Sequence, residues 1–435
     1  MTAEVLGFKE ASFPGHAMRL KIKHLRHPIR AAALARQVAS VYLDIRRFGS
    51  RGGRRFKGDA RYDLDNVSRG FAPRVSDAKA DARLLERICT AYNRTIEQEC
   101  FAPEAYQATP WWQQVRKEQL GPVMKALQSF DIEDLGQMYG NFFRDACSAG
   151  LIGLPYGMAK AYFGGKIKDI HRRYYLSDAL HRIEYWKMQT DGRFPLQSLA
   201  GPEVGNPFGV LIDGTLVRTG SPYQHYSAQR VCSYLDSEGG VVAEIGGGYG
   251  DMAYYLLRDQ GGVKYLDFDV PESIALTSYY LMKALPHLKF LLYGEGELTR
   301  EEIDRIDVVL MPLFEIENMP SASVDVTFSS HAMSDVSAEF MGDYLNRIAS
   351  ITRSYFLYIG TGGAAETISN LATQRRYGFR LAETHSSGWH AHKCSDVVER
   401  ECLYRVGNHA DAAGGHAVSG AARHQIRITE GTLIL

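Results

Sequence analysis

Cysteine is scarce and scattered in this chain. Cys89, Cys100, Cys147, Cys232, Cys394 and Cys402 form no C-x-x-C pair, so neither a disulfide framework nor a zinc knuckle is indicated. Long hydrophobic runs are missing too. No apolar stretch approaches the ~20 residues that span a bilayer, and the N-terminus does not read as a secretory signal. An excess of charge of one sign is also lacking. Fifty basic residues balance fifty acidic ones, so the chain as a whole offers no nucleic-acid-like electrostatic surface. These absences point to a cytoplasmic protein, and 435 residues are enough for two domains or three.

Against that background one stretch stands out. Val241-Val242-Ala243-Glu244-Ile245 is an apolar run holding one acid, and Gly246, Gly248 and Gly250 follow at every second position. The pattern predicts a buried strand, a tight glycine-lined turn and a helix starting at Asp251. Glycine serves where φ must be positive or where a ligand approaches too closely for a Cβ. A helix opening after such a turn aims free N–H groups at the bound group, so a nucleotide-like ligand is expected at the strand end. Phosphate loops do not fit. The dinucleotide fingerprint wants G-x-G-x-x-G, and counted from Gly246 the third glycine position is Asp251, whose charge would face a pyrophosphate. The P-loop lysine and hydroxyl are absent. A second short strand, Lys264 to Asp269, ends roughly twenty residues beyond the glycines, where an acid accepts hydrogen bonds from ribose hydroxyls. Asp269 is the expected residue, with Asp267, on the same face, as the alternative.

The pattern Glu244-x-Gly246-x-Gly248-x-Gly250 resembles the first motif of class I S-adenosyl-L-methionine-dependent methyltransferases. Ala243 to Leu257, Asp269-Val270-Pro271-Glu272 and Ser278-Tyr279-Tyr280-Leu281 are similar to the sugar O-methyltransferase family. So are Gly205-Asn206-Pro207-Phe208-Gly209 and Ile212-Asp213-Gly214, and the resemblance covers roughly residues 200 to 360. It implies an α/β fold, a Rossmann-like methyltransferase sheet of seven strands, mostly parallel with an antiparallel last strand, preceded by an N-terminal helical domain. It also implies S-adenosyl-L-methionine held by Glu244, Gly246, Gly248, Gly250 and Asp269, and a sugar or glycoconjugate hydroxyl as acceptor. Two other classes stay open: a methyltransferase acting on a non-sugar small molecule, and a binding protein that keeps the cofactor fold without catalysis.

The expected organisation is a basic segment at 1–58, a helical cap at 59–200, the methyltransferase domain at 201–405 and a small-residue tail at 406–435. From Arg19 to Lys57 about a dozen basic residues face one acid, Asp44. Apolar residues recur there at near-helical spacing behind Pro28, a pattern suited to an anionic membrane surface or to a helix packed on the protein. Gly49 to Arg55 reads as a flexible connector. Helices are expected over 78–93, 110–129, 132–148 and 167–190, with Trp111 and Trp112 available to stack on a sugar or to fill a core. A hairpin is expected at Asp213-Gly214, and then a helix whose Tyr223, His225 and Tyr226 lie near the cofactor or acceptor. Lys289–Tyr293, Ile306–Pro312 and Val324–Phe328 read as strands, leaving open which of the first two is third in the sheet.

A sulfonium methyl group is already electrophilic, so the protein must align an acceptor oxygen, exclude water and remove the hydroxyl proton. His331, in the loop after Val324–Phe328, is the expected base, with Asp335 as its orienting partner or as the base itself. Thr384 to His392 reads as a loop between the last strands. Its His385, His390 and His392 leave a divalent metal possible. Oligomeric state is not legible.

Overall fold

The computed structural model describes residues 28–71, 81–152, 167–374, 377–392 and 398–407, apart from the side chains at 28–35, 37, 38, 41 and 335. The small-residue tail, Cys394 and the first part of the basic segment lie outside these residues.

The N-terminal half is helical as expected. Its helices are α1 (Pro28–Arg55), α2 (Leu64–Arg69), α3 (Ala82–Glu99), α4 (Pro110–Val115), α5 (Gly121–Ser129), α6 (Ile132–Tyr139) and α7 (Asp169–Gln189). α3 starts where Asp81 accepts from the Leu84 amide, and it buries Leu85, Ile88, Cys89 and Tyr92 at three- and four-residue spacing. α4 and α5 are joined by a wider π turn at Arg116–Leu120. Pro122 accounts for it, because the ring removes a donor and crowds the carbonyl four residues back. α6 stops at Tyr139, short of the expected Ser148, and two 3-10 turns follow the Gly140 cap.

Gly49 to Arg55 is no flexible connector: it is the last part of α1. Ile45, Phe48 and Phe56 are buried, and Phe48 packs on Tyr174 of α7 with ring centroids 4.8 Å apart. A Cβ on Gly52 would stand 1.9 Å from the Ser177 hydroxyl. That glycine is a contact point between two helices.

The hairpin is β1 (Val210–Ile212) and β2 (Thr215–Val217). Asp213 and Gly214 both have positive φ, at 48° and 76°, as a type I′ turn requires. The C-terminal half adds β3 (Gly240–Ile245), β4 (Val263–Asp269), β5 (Phe290–Leu292), β6 (Val308–Pro312), β7 (Val324–Ser330), β8 (Thr352–Thr361), β9 (Phe379–Ser387) and β10 (Glu399–Val406). Between them run α8 (Ser221–Cys232), α9 (Asp251–Asp259), α10 (Pro271–Ala284), α11 (Arg300–Arg305), α12 (Ala338–Ile351) and α13 (Gly362–Ala372).

The main sheet has eight strands in the order β5-β6-β4-β3-β7-β8-β10-β9. All pairings are parallel except those of β10, which runs against both β8 and β9. This is the expected Rossmann-like α/β architecture with one strand more than expected. β6 pairs with β4 and is third from β3, while β5 pairs only with β6 and forms an extra edge. Alternate residues enter two cores. Val242, Tyr265, Val308 and Val326 face the N-terminal helices with α8, α9 and α10. Ala243, Leu266, Val309 and Phe356 face α12 and α13. The strand order reverses at β3, which is where an open sheet of this kind leaves its crevice.

The helical half is tied to the sheet through Glu272 at the start of α10. Its carboxylate, 3 % exposed, accepts from Trp112 Nε1 at 2.9 Å, Arg116 Nε at 3.1 Å and Tyr92 hydroxyl at 3.3 Å. Arg116 is clamped from its other side by Glu99 at 2.8 and 3.0 Å. Trp112 is therefore a core residue, and its neighbour Trp111 is 38 % exposed. Glu272→Ala leaves the half-buried Arg116 with one partner fewer and the indole donor with none. It is expected to cost about 3–5 kcal/mol in chemical denaturation, and a loss below about 1 kcal/mol would show that the network contributes no more than a surface pair.

Candidate functional site

The glycine turn has the conformation its spacing predicts. Gly246, Gly248 and Gly250 sit at φ 79°, 65° and 85°, and α9 opens at Asp251. The three glycines differ in what surrounds them. A Cβ on Gly246 would meet Ala332 at 2.1 Å, and one on Gly250 would meet Thr277 at 2.9 Å. At Gly248 the nearest atom outside the turn is the Leu151 carbonyl oxygen, 4.0 Å away. Gly246 and Gly250 answer to packing, and Gly248 faces space among the described residues.

Beneath the turn lie three carboxylates on one face of the sheet. Glu244 stands opposite Asp267 in the β3–β4 register, and Asp269 ends β4. Asp267 Oδ1 accepts from the Gly247 amide at 3.0 Å, while its buried Oδ2 has no partner among the described residues. Asp269 Oδ2 accepts from the Gly248 amide at 2.9 Å and the Ser273 hydroxyl at 2.5 Å, and Oδ1 from the Val270 amide at 2.7 Å. Asp269 thus stands at the strand end as expected, but it is 9 % exposed and braces the turn. Glu244, 3 % exposed, accepts from the Tyr265 hydroxyl at 2.6 Å.

Burial pushes the Glu244 carboxyl up to about 8, with repulsion from Asp269 adding to it against the Tyr265 hydrogen bond. Burial likewise raises Asp269 to about 6, moderated by Ser273, Val270 and Gly248. Asp267 rises well above the ordinary range, first by burial and then by its two charged neighbours. A raised carboxylate binds its proton more tightly folded than unfolded. The stability it contributes is complete below its ordinary value and is lost as pH rises through the folded value. Glu244→Gln is therefore expected to flatten the fall in melting temperature between about pH 4.5 and pH 8. A fall as steep as the parent's would show that Glu244 is ionised throughout.

Asp251, read from the sequence as a charge facing the ligand, turns inward. It is 1 % exposed and receives Arg218 Nη2 at 2.6 Å, the Tyr249 hydroxyl at 2.7 Å and the Tyr280 hydroxyl at 3.0 Å. The glycine spacing still departs from the dinucleotide pattern, but charge repulsion at Asp251 is not the reason.

His331 follows β7 at the same edge of the sheet. It has φ 62°, a left-handed conformation uncommon outside glycine, held by its amide donating to the Ile359 carbonyl at 2.8 Å. The next residue, Ala332, is the one that packs on Gly246, so histidine and turn are close neighbours. The carboxylate facing His331 is that of Glu399. Its Oε1 lies 3.1 Å from His331 Nε2, an ion-pair distance without hydrogen-bond alignment, and 2.7 Å from His390 Nδ1. Burial alone would raise Glu399, but contacts with His331 and His390 overcome it and hold the carboxyl well below the usual range. Asp335 ends the 3-10 turn after His331, and its carboxylate is outside the described residues.

Glu399 reaches this place because β10 runs antiparallel. Its first residue pairs with Thr361, the last of β8, and with Ser387, the last of β9. A strand that starts where its neighbours end brings a side chain from far along the sequence to the crevice. Nothing local in the sequence marks Glu399. The surrounding histidines were the available signal.

The histidine segment divides. Thr384 to Ser387 belongs to β9, not to a loop. His385 Nε2 is 3.2 Å from Glu401, and His392 Nε2 is 2.7 Å from Asp178 of α7. Each of the three histidines serves a different carboxylate, and among the described residues no group of three or more His, Cys, Asp or Glu is placed to hold a metal. Of the α8 residues, Tyr223 donates or accepts at Ser330 Oγ at 2.5 Å and has its ring 6.3 Å from that of His331. His225 has no exposed surface and accepts from Trp186 Nε1 at 3.1 Å, and Tyr226 donates to Glu401 at 2.8 Å. Only Tyr223 reaches the candidate site.

No protein-family model matches the chain, and no curated protein matches it. Among solved structures it is similar to the mitomycin 7-O-methyltransferase MmcR, at 16 % identity over 44 % of this chain and 56 % of that one, with TM-score 0.30. It is similar to magnesium protoporphyrin IX methyltransferase (ChlM) from Synechocystis PCC 6803, at 10 % identity over 43 % and 81 %, TM-score 0.30. It is also similar to a SAM dependent methyltransferase from Aquifex aeolicus, at 15 % identity over 43 % and 93 %, TM-score 0.29. The match spans just over half of MmcR. The fold assignment rests on the strand order, and the reading of the site rests on its own geometry.

Proposed function

We propose that this chain is an S-adenosyl-L-methionine-dependent O-methyltransferase whose acceptor is a hydroxyl of a sugar or glycoconjugate. The observation that carries the reading is the juxtaposition of two things at one edge of the sheet. One is a glycine turn whose Gly248 faces space among the described residues, and the other is a histidine, one residue from contact with that turn, backed by a buried carboxylate.

The residues present suit the cofactor. The backbone at Gly246, Gly248 and Gly250 offers a surface without Cβ atoms. Glu244, Asp267 and Asp269 lie behind it, and a positively charged ligand would favour the ionised forms that burial disfavours. When bound, S-adenosyl-L-methionine supplies an electrophilic methyl group. Glu244 and Asp269 are the acids that would hold it, together with the turn.

The protein's own part is proton management. His331 Nε2 faces Glu399, which leaves Nδ1 to take the hydroxyl proton of the acceptor. Glu399, kept ionised, stabilises the imidazolium that results, and His390 holds Glu399 in place. Tyr223 and Ser330 line the same edge and would orient the acceptor. The sugar is supported by the resemblance of the quoted motifs to the sugar O-methyltransferase family. Asp335 stays as an alternative base, and residues 59–200 are proposed as the cap over the acceptor.

Titration calorimetry with S-adenosylhomocysteine tests the core of the proposal. Saturable heat is expected, and its absence would refute the cofactor. Transfer of labelled methyl to a panel of glycans against phenols and amines then tests the acceptor.

A further inference from the structure

The structure divides α1 into two faces. Ile45, Phe48, Gly49 and Gly52, with Phe56 just beyond the helix, are buried against α7 and its neighbours; of the apolar residues read from the sequence, Ile45 belongs to this covered face and Tyr42 does not. The opposite face carries Arg36, Leu43, Arg47 and Arg54 at intervals of seven, four and seven residues, which places them on one line of a helix. Arg46, Arg51 and Arg55 flank that line, and all six arginines are exposed. Leu43 and Tyr42 stand among them, 46 % and 51 % exposed. The opposing charge is slight. Asp44 meets Arg47 at 3.8 Å with both side chains about 70 % exposed, a pair of little strength. Arg36, Arg46, Arg51 and Arg54 have no ion pair among the described residues. The whole chain has zero net charge, so this surface is a local departure from neutrality.

We propose that the outer face of α1 is a docking surface for an anionic phospholipid bilayer. Arginine guanidinium groups pair with lipid phosphates, and four to eight of them on one helix face meet the requirement for binding acidic headgroups. Leu43 and Tyr42 add shallow contact at the interface. Because the face holding Ile45 and Phe48 is engaged with α7, attachment there rests on the arginines and is peripheral, electrostatic and sensitive to salt.

Co-sedimentation of the full chain with vesicles tests this. Binding is expected to vesicles of phosphatidylcholine with phosphatidylserine at low salt, with little binding to phosphatidylcholine alone and release at high salt. The triple variant Arg36→Glu, Arg47→Glu, Arg54→Glu is expected to lose on the order of a hundredfold in partition. The matching Arg→Lys triple, which keeps the charge, is expected to retain it. If the reversed triple does not fold, as judged by thermal melting, Arg54→Glu alone decides with an expected loss of roughly fivefold. The proposal is overturned by equal binding to neutral and acidic vesicles, by a folded reversal variant that binds like the parent, or by tighter binding of this face to duplex nucleic acid in the same buffer.

Discussion

Replacing His331 by alanine is expected to lower methyl transfer by on the order of 10²–10⁴-fold, while affinity for S-adenosylhomocysteine stays at the parent value. The separation follows from the geometry. Among the described residues no hydrogen bond or ion pair joins His331 to Gly248 or to the carboxylates under the turn; its side chain faces Glu399, and its ring lies beside those of His390 and Tyr223. Glu399→Gln is expected to reproduce much of the loss, because an amide cannot stabilise the imidazolium as a carboxylate does. Single-turnover measurements, with binding measured separately, check both. Full activity in His331→Ala would remove the histidine from the mechanism and turn attention to Asp335.

Gly248→Val is expected to abolish cofactor binding without unfolding the protein. The backbone there has φ 65°, which a β-branched residue adopts only at a cost of about 1–3 kcal/mol. Among the described residues a Cβ there would have no atom outside the turn nearer than 4.0 Å. The added methyl groups therefore project where a ligand would lie, and they do not collide with the core. Gly246→Val and Gly250→Val behave differently, since there the new atoms strike Ala332 and Thr277, and a loss of melting temperature is expected to accompany the loss of binding. Calorimetry beside thermal melting separates the cases. A Gly248→Val protein that binds normally would place the ligand elsewhere.

Much of the sheet is legible from sequence because the information is short-range. Short, near-continuous apolar runs predict β3, β4, β6 and β7 to within a few residues. β8 is not anticipated, although Phe356-Leu357-Tyr358-Ile359 is fully buried. The position of β5 at the edge depends on its pairing with β6, which no local pattern encodes. Arg218 and Asp251 illustrate the same limit. Neither shows from its own surroundings that it will be buried against the other, and together they neutralise a charge at the helix start that looks exposed in the sequence.

The glycine turn, the start of α9 and the place of Asp269 at a strand end were determined by sequence alone. Positive φ at alternate positions and an acid at fixed spacing are local requirements that residue type states directly. Three further features were decided only by tertiary structure. α1 runs through Arg55 because Gly49 and Gly52 let it lie close on α7. Asp269 is engaged by its own turn because the amides of Gly248 and Val270 are donors beside it. His331 is paired with Glu399 because β10 reverses direction and begins where β8 ends, and a chain reversal joins residues whose distance in sequence says nothing of their distance in space.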